Sequence, residues 1–189
     1  AYTTKPSIFE VVEGHEEIIA QIEAQEGYRA APRLYSGGLA ASGESSAGVS
    51  LLGVDPVRDT EVLEISQFVG EGTWLDDEDP LGVVVGKGLA RTLDLDVGSE
   101  VIVLSQAADG SMANELLTVR GVLMTVAAST DRTAIVMTES TFRELMVLPD
   151  GAHKIIVRRP IGSDLVASGD LMIVGAEYSV ESGVVTFLE

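Results

Sequence analysis

Apolar positions run along this chain in two rhythms, one of period two and one of three and four. Ile8, Val11, Val12, His15, Ile18, Ile19 and Ile22 recur at helical spacing and predict one amphipathic helix. Ser7 to Glu10 reads as its capping box, with Pro6 just outside, and Gly27 as its stop. Residues 33–42 and 47–54 predict two strands around a turn at Gly43 to Ser46. Gly37 and Gly38 inside the first predict a bulge or a close backbone approach. Asp55-Pro56 then leads into a helix over residues 59–69, with Val62, Ile65 and Val69 inward, and a loop over residues 70–80 holds the only tryptophan.

The most ordered stretch is Leu81 to Leu104. Val83, Val84 and Val85 are a β-branched run that predicts a buried strand. Gly86 and Gly88 bracket Lys87 and predict a tight turn; Leu89, Ala90, Leu93 and Leu95 follow at helical spacing. Asp96 to Gly98 ends that helix, and Val101 to Leu104 returns as a strand. Downstream, residues 100–106 and 115–125 predict a hairpin around Ala108 to Ser111. Ala127 to Arg132 reads as a loop, Thr133 to Met137 as a strand, Ser140 to Leu148 as a helix, and Lys154 to Val157 as a strand. In the tail, the apolar runs 171–174 and 184–188 predict a strand pair around Glu177 to Ser182.

Charge narrows the partners. A net charge of −18 argues against DNA, RNA or an anionic membrane surface as a direct partner. Cysteine is absent, so there is neither a disulfide framework nor thiol chemistry. No apolar run is long enough to span a bilayer, and a chain that begins at Ala1 rather than Met reads as an excised fragment.

Each reactive pattern is incomplete. Gly86-Lys87-Gly88 supplies two glycines of a dinucleotide fingerprint but has Arg91 where the third belongs. Counted from Gly82, the same segment is one residue short of a P-loop and lacks its hydroxyl. His15-Glu16 begins like a zincin motif, but position 19 is Ile, and His153 is the only other histidine. Ser45 sits near a nucleophile-elbow pattern, yet in a hairpin turn rather than between strand and helix. Asp76, Asp77, Glu78 and Asp79 could hold a cation but lack the alternating ligands and central glycine of an EF-hand loop. Trp74 beside them reads as a lid over the core or as an anchor for a partner.

The series from Gly82 to Leu104 resembles the middle of the MacB-type periplasmic core domain of ABC-transporter permeases, the macrolide-exporter and lipoprotein-releasing group. Leu52 to Pro56, Gly72 to Leu75 and Leu117 to Val122 stand in the order of that family, and the resemblance covers residues 28–159. It implies an α+β fold in two lobes. Residues 1–70 with 150–189 would form a porter-like lobe, and residues 71–149 a smaller mixed α/β lobe inserted in it.

The implied function is non-catalytic: coupling ATP-driven movement of membrane helices to a periplasmic protein or lipoprotein cargo, with the lipoprotein-releasing type favoured. The implied partners are the permease's own transmembrane helices, a cytoplasmic ATPase and a second permease subunit; the implied location is extracytoplasmic, tethered to the inner membrane. No catalytic, cofactor or metal residues are expected. Trp74, Asp76 and Asp77 are the candidate partner contact, and Ala127 to Arg132 is a second candidate loop. The competing readings are a soluble secreted module binding a glycan or a protein, and a hydrolase using acids with His15 or His153.

Overall fold

A 14-residue strand, β1 (Arg29–Ser42), sets the architecture. The computed structural model describes residues 11–124 and 128–159 and the strands 176–179 and 184–187. The other strands are β2 (Ser45–Val54), β3 (Val69–Gly72), β4 (Gly82–Gly86), β5 (Glu100–Gln106), β6 (Met112–Leu123), β7 (Ala134–Thr138) and β8 (Lys154–Arg158). β9 (Ala176–Ser179) and β10 (Val184–Phe187) form a separate antiparallel pair. The helices are α1 (His15–Glu23), α2 (Pro56–Val62), α3 (Lys87–Leu93), α4 (Ala128–Thr133) and α5 (Glu139–Met146). None of the described helices is long and apolar enough to cross a membrane.

The path β2-β7-β4-β6-β5-β1 has its two ends hydrogen-bonded to each other, so six strands close a ring. β1 pairs with β2 from Arg33 to Ser42, with β5 at Leu39 to Ala41, and with β8 from Arg29 to Arg33. Two pairs in the ring are parallel, β2 with β7 and β4 with β6. Alternate residues point into it. Leu34, Ala40, Val49, Leu51, Val83, Val85, Val101, Val103, Leu117, Val119, Ile135 and Met137 are buried in one cluster. Leu89 and Leu93 of α3 and Phe142 and Met146 of α5 join the same cluster.

Outside the ring the strands meet different fates. Over β2, β4 and β7 the segment from Ile65 to Leu75 lies against Val54, Val84 and Val136, so β4 and β7 are buried on both faces. This explains why β4 reads as a continuous valine run. At the β8 end, α2 sets Val62 against Ala31 and Ile156. There Arg33 and Asp59 form an ion pair that is 1% and 0% exposed. Burial lowers the Arg33 guanidinium to about 10, against the raising pull of Tyr35 and Asp55.

Of the α+β expectation, the mixed, sheet-dominated character holds, and local details differ. The first helix does not include Val11 or Val12: Val12 forms a backbone bridge with Ala152, Gly14 turns at φ 63°, and α1 begins only at His15. The capping box and the run 171–174 lie outside the described residues; the partner of β10 is 176–179. The helix over 59–69 starts earlier, at Pro56, where Asp55 accepts from the N–H groups of Val57 and Arg58 at 2.9 Å. It stops at Leu63 because Glu64 sits at φ 55°, and a 3₁₀ turn over Ile65–Phe68 and then β3 follow. The loop expected at Ala127 to Arg132 is largely the short helix α4. At Gly37 and Gly38 the β1–β2 ladder is continuous, and the second glycine meets a close neighbour: a Cβ there would lie 2.6 Å from the Leu104 carbonyl oxygen.

Two predictions follow from burial. Asp59→Asn strands a buried cation and should cost about 3–5 kcal/mol in chemical denaturation. The double change Arg33→Met with Asp59→Leu should recover most of that loss. A single variant as stable as the parent would contradict the sealed pair. Side-chain parity on β6 gives the second: Leu117→Ala, inside the ring, should cost about 2–5 kcal/mol. Leu116→Ala, next to it but outside, should stay within about 0.5 kcal/mol.

Candidate functional site

The loop between β3 and β4 is held by one cation. Arg120, on β6, donates from Nε to the Trp74 carbonyl at 2.7 Å, from Nη1 to Asp79 Oδ2 at 2.7 Å, and from Nη2 to Asp76 Oδ2 at 3.2 Å. The Arg120 carbonyl accepts from Thr73 N–H at 3.0 Å, so both ends of the residue hold the loop. Asp76 also accepts from Glu78 N–H at 3.1 Å, and Thr141 Oγ1 donates to the Pro80 carbonyl.

Trp74 is half-buried against the cluster of Val54, Val84 and Val136, and its indole N–H donates to the Pro56 carbonyl at 3.2 Å. Of the three candidate contacts, Asp77 is the exposed one. Its carboxyl is held above the usual range by partial burial and by the nearby charges of Asp55 and Asp76. Asp76 and Asp79 therefore face a guanidinium rather than a vacant cation site. Among the described residues no group of three or more His, Asp or Glu is placed to hold a metal.

Arg120 was not a candidate from sequence alone. Its only signal there is a lone basic residue inside a β-branched strand of an acidic chain.

The other motifs find structural partners. Gly86 is the N-cap of α3 in extended conformation (φ −70°), not a turn residue. A Cβ on Gly86 would lie 2.6 Å from the carbonyl oxygens of Thr130 and Asp131, and one on Gly88 2.7 Å from that of Asp131. The two glycines therefore admit the backbone of α4, which occupies the space a phosphate would need.

His15 is buried at the start of α1. Its Nε2 lies 3.3 Å from Arg143 Nη2, and its Nδ1 lies 3.5 Å from Asp150 Oδ1. Arg143 is fixed in turn by Glu139 at 2.6 Å and by the Gly151 carbonyl at 2.8 Å, so this cluster ties α1 to the end of α5. His153 Nδ1 accepts from the Tyr35 N–H at 3.2 Å, and its ring stands edge-on to Tyr35 and Phe142. Ser45 pairs with Ser42 across a two-residue hairpin turn, where no strand leads into a helix. An open groove of about 480 Å³ is lined by Arg29, Glu61, Glu64, Arg158 and Arg159. There Arg29 pairs with Glu61 at 3.3 Å and Arg158 with Glu64.

This geometry holds a loop, a helix and a ring together, and among the described residues it assembles no nucleophile–base pair. Comparison with known proteins places it. No curated protein sequence matches the chain. Among solved structures, the extracellular domain of the noncanonic ABC-type transporter YknZ from Gram-positive bacteria superposes with a TM-score of 0.60 at 14% identity. That match covers 82% of this chain and 75% of the other. The periplasmic region of MacB from Actinobacillus actinomycetemcomitans superposes with a TM-score of 0.59 at 14% identity, over 79% of this chain and 66% of that one. At such identity these neighbours establish the fold. The family model of the MacB-like periplasmic core domain matches residues 6–169. The chain belongs to the family of MacB-like periplasmic core domains, and is extracytoplasmic by that membership.

Proposed function

We propose that this chain is the extracytoplasmic domain of an ABC-transporter permease, nearer the lipoprotein-releasing than the macrolide-export type, and that it acts mechanically. Movement of attached membrane helices, driven by a cytoplasmic ATPase, would shift the domain and the periplasmic protein or cargo it holds. The family match over residues 6–169 carries this reading, and the two transporter domains of the same fold support it.

The physical requirement is stiffness. β1 runs unbroken from the β8 end into the ring, and β2 accompanies it from Arg33 to Ser42. A push at one end is then carried by a paired ladder rather than by a loop. The proposed division into an outer lobe (residues 1–70 with 150–189) and an inserted lobe (residues 71–149) fits this if the outer segment lends the β1–β2 hairpin to the ring. In the loop of Trp74, Asp76 and Asp77, Trp74 and Asp76 would be internal supports, and Asp77 the part offered to a partner.

Two tests address the reading. In the full transporter, deleting residues 29–158 while keeping the flanking segments should leave ATP hydrolysis and abolish cargo movement, measured in reconstituted vesicles. Cargo movement that survives the deletion would refute the mechanical role. The flanking sequence should also supply an apolar span of about 20 residues on each side. For the loop, Arg120→Ala should cost about 1–2 kcal/mol and red-shift Trp74 fluorescence as the indole loses its seat. An unchanged spectrum would mean that Arg120 does not hold the loop.

A further inference from the structure

Among the described residues the outer face of the ring is covered unevenly. Over Val54, Val84, Val136 and Leu123 the Trp74 segment seals the outer face, and α2 covers Ala31 and Arg33 at the start of β1; over β5, the C-terminal end of β1 and the first half of β6 the outward side chains lie open. Leu39, Ile102, Leu104, Met112 and Leu116 are between 39% and 77% exposed. They are five of the eleven large apolar side chains exposed among the described residues.

Register makes them neighbours. Leu39 stands opposite Leu104, Ile102 opposite Leu116, and Ala41 opposite Ile102. Cross-strand partners on one face touch, so Leu39, Leu104, Ile102 and Leu116 form one apolar patch rather than scattered residues, with Met112 at its margin opposite Gln106.

The same face borders an open edge. β4 pairs with β6 only from Thr118 onward, so Met112 to Leu117 has β5 on one side and no described strand on the other. The Leu116 N–H is not spent on β5; it donates to Glu115 Oε1 at 3.0 Å. By the alternation of an antiparallel ladder, the backbone groups of Met112 and Asn114 point to that same edge. An unpaired edge beside apolar side chains is a template for another strand.

Charge selects the occupant. No lysine or arginine occurs from Leu34 to Val54 or from Leu95 to Val119, whereas Glu44, Asp96, Glu100, Asp109 and Glu115 do. A second copy of this chain would bring acid against acid, and an anionic lipid surface would be repelled in the same way.

We propose that the outer face of β1, β5 and β6, with the free edge of β6 at Met112 to Leu117, docks a protein partner offering an extended apolar segment flanked by Lys or Arg. The proposal deepens the reading of this domain as the part of a transporter that holds a periplasmic protein. The apolar side chains supply contact area, the edge supplies backbone hydrogen bonds, and the acidic rim sets the sign of the partner.

The test titrates the 189-residue chain, followed by methyl and amide NMR, with an extended peptide alternating Val and Thr between terminal lysines. A glutamate-flanked version, zwitterionic lipid vesicles and dilution of the chain alone are the controls. The lysine-flanked peptide should shift the methyls of Leu39, Ile102, Leu104, Met112 and Leu116 and slow amide exchange at Met112 and Asn114. Added salt should weaken it. Ile102→Ser with Leu116→Ser, with circular dichroism confirming the fold, should reduce affinity by about tenfold or more.

Three outcomes overturn the proposal: no methyl shift with the lysine-flanked peptide, equal binding of the glutamate-flanked one, or shifts of the same methyls with vesicles or with chain concentration alone. Each would leave the vesicle transport test of the whole domain untouched, so failure here is separable from failure of that reading.

Discussion

Closure of the ring through β1 is the constraint on which the rest of the structure depends. A strand in a closed ring must satisfy both of its edges, and β1 does so with three partners. One edge belongs to β2. The other is divided between β8 at the N-terminal end and β5 near the C-terminal end. Side chains alternate with period two, so a one-residue slip along any of these ladders would turn Leu34 and Ala40 outward and Leu39 inward. The buried cluster fixes the register, and the register in turn places the open outer face. Gly38 belongs to the same constraint, because its missing Cβ lets the β1 backbone approach the Leu104 carbonyl.

Local structure was legible in the sequence where local physics decides it. The valine run of β4, helix α3, the β5–β6 hairpin and α5 all follow from periodicity and turn residues within a short window. Closure was not legible, because β2 meets β7 at Ser50 and Ala134, far apart in the chain. Two helix boundaries failed for the same reason. Val12 has helical spacing to its neighbours but bonds to Ala152, and Glu64 takes a left-handed conformation that no pattern announced. Helix α4 carries Ser, Thr, Asp and Arg with no apolar stripe, so it reads as loop; it lies where Gly86 and Gly88 leave room for its backbone. In the candidate site, Trp74 and the acids were visible as rare or clustered residues. The cation that organises them sits on a strand more than 40 residues later, beyond any local window.

Several arginines are committed to ion pairs within the fold. Arg33 is sealed with Asp59, Arg58 meets Glu16 at 3.0 Å, Arg120 holds Asp76 and Asp79, Arg143 holds Glu139, and Arg158 holds Glu64. Each of these ties together elements distant in sequence or seats a loop or a helix end. With 12 basic residues against 30 acidic ones, the acids left over are those that face outward. The net field around the molecule is therefore negative, and it acts on partners rather than on the fold.

Apolar coverage and charge then make one argument about orientation. The Trp74 segment spends the chain's own apolar side chains on the outer face of β2, β4 and β7, and Arg120 locks it there. On the opposite face the described residues offer no such segment and, along half of β6, no neighbouring strand. Leaving water on Ile102, Leu104 and Leu116 forgoes about 25 cal/mol for each Å² that a cover would remove from solvent. A surface of this kind remains soluble because its rim is charged with a single sign. That sign also excludes a second copy and admits a partner of opposite charge, so the two halves of the ring divide the work: one is closed by the chain itself, the other is left for a guest.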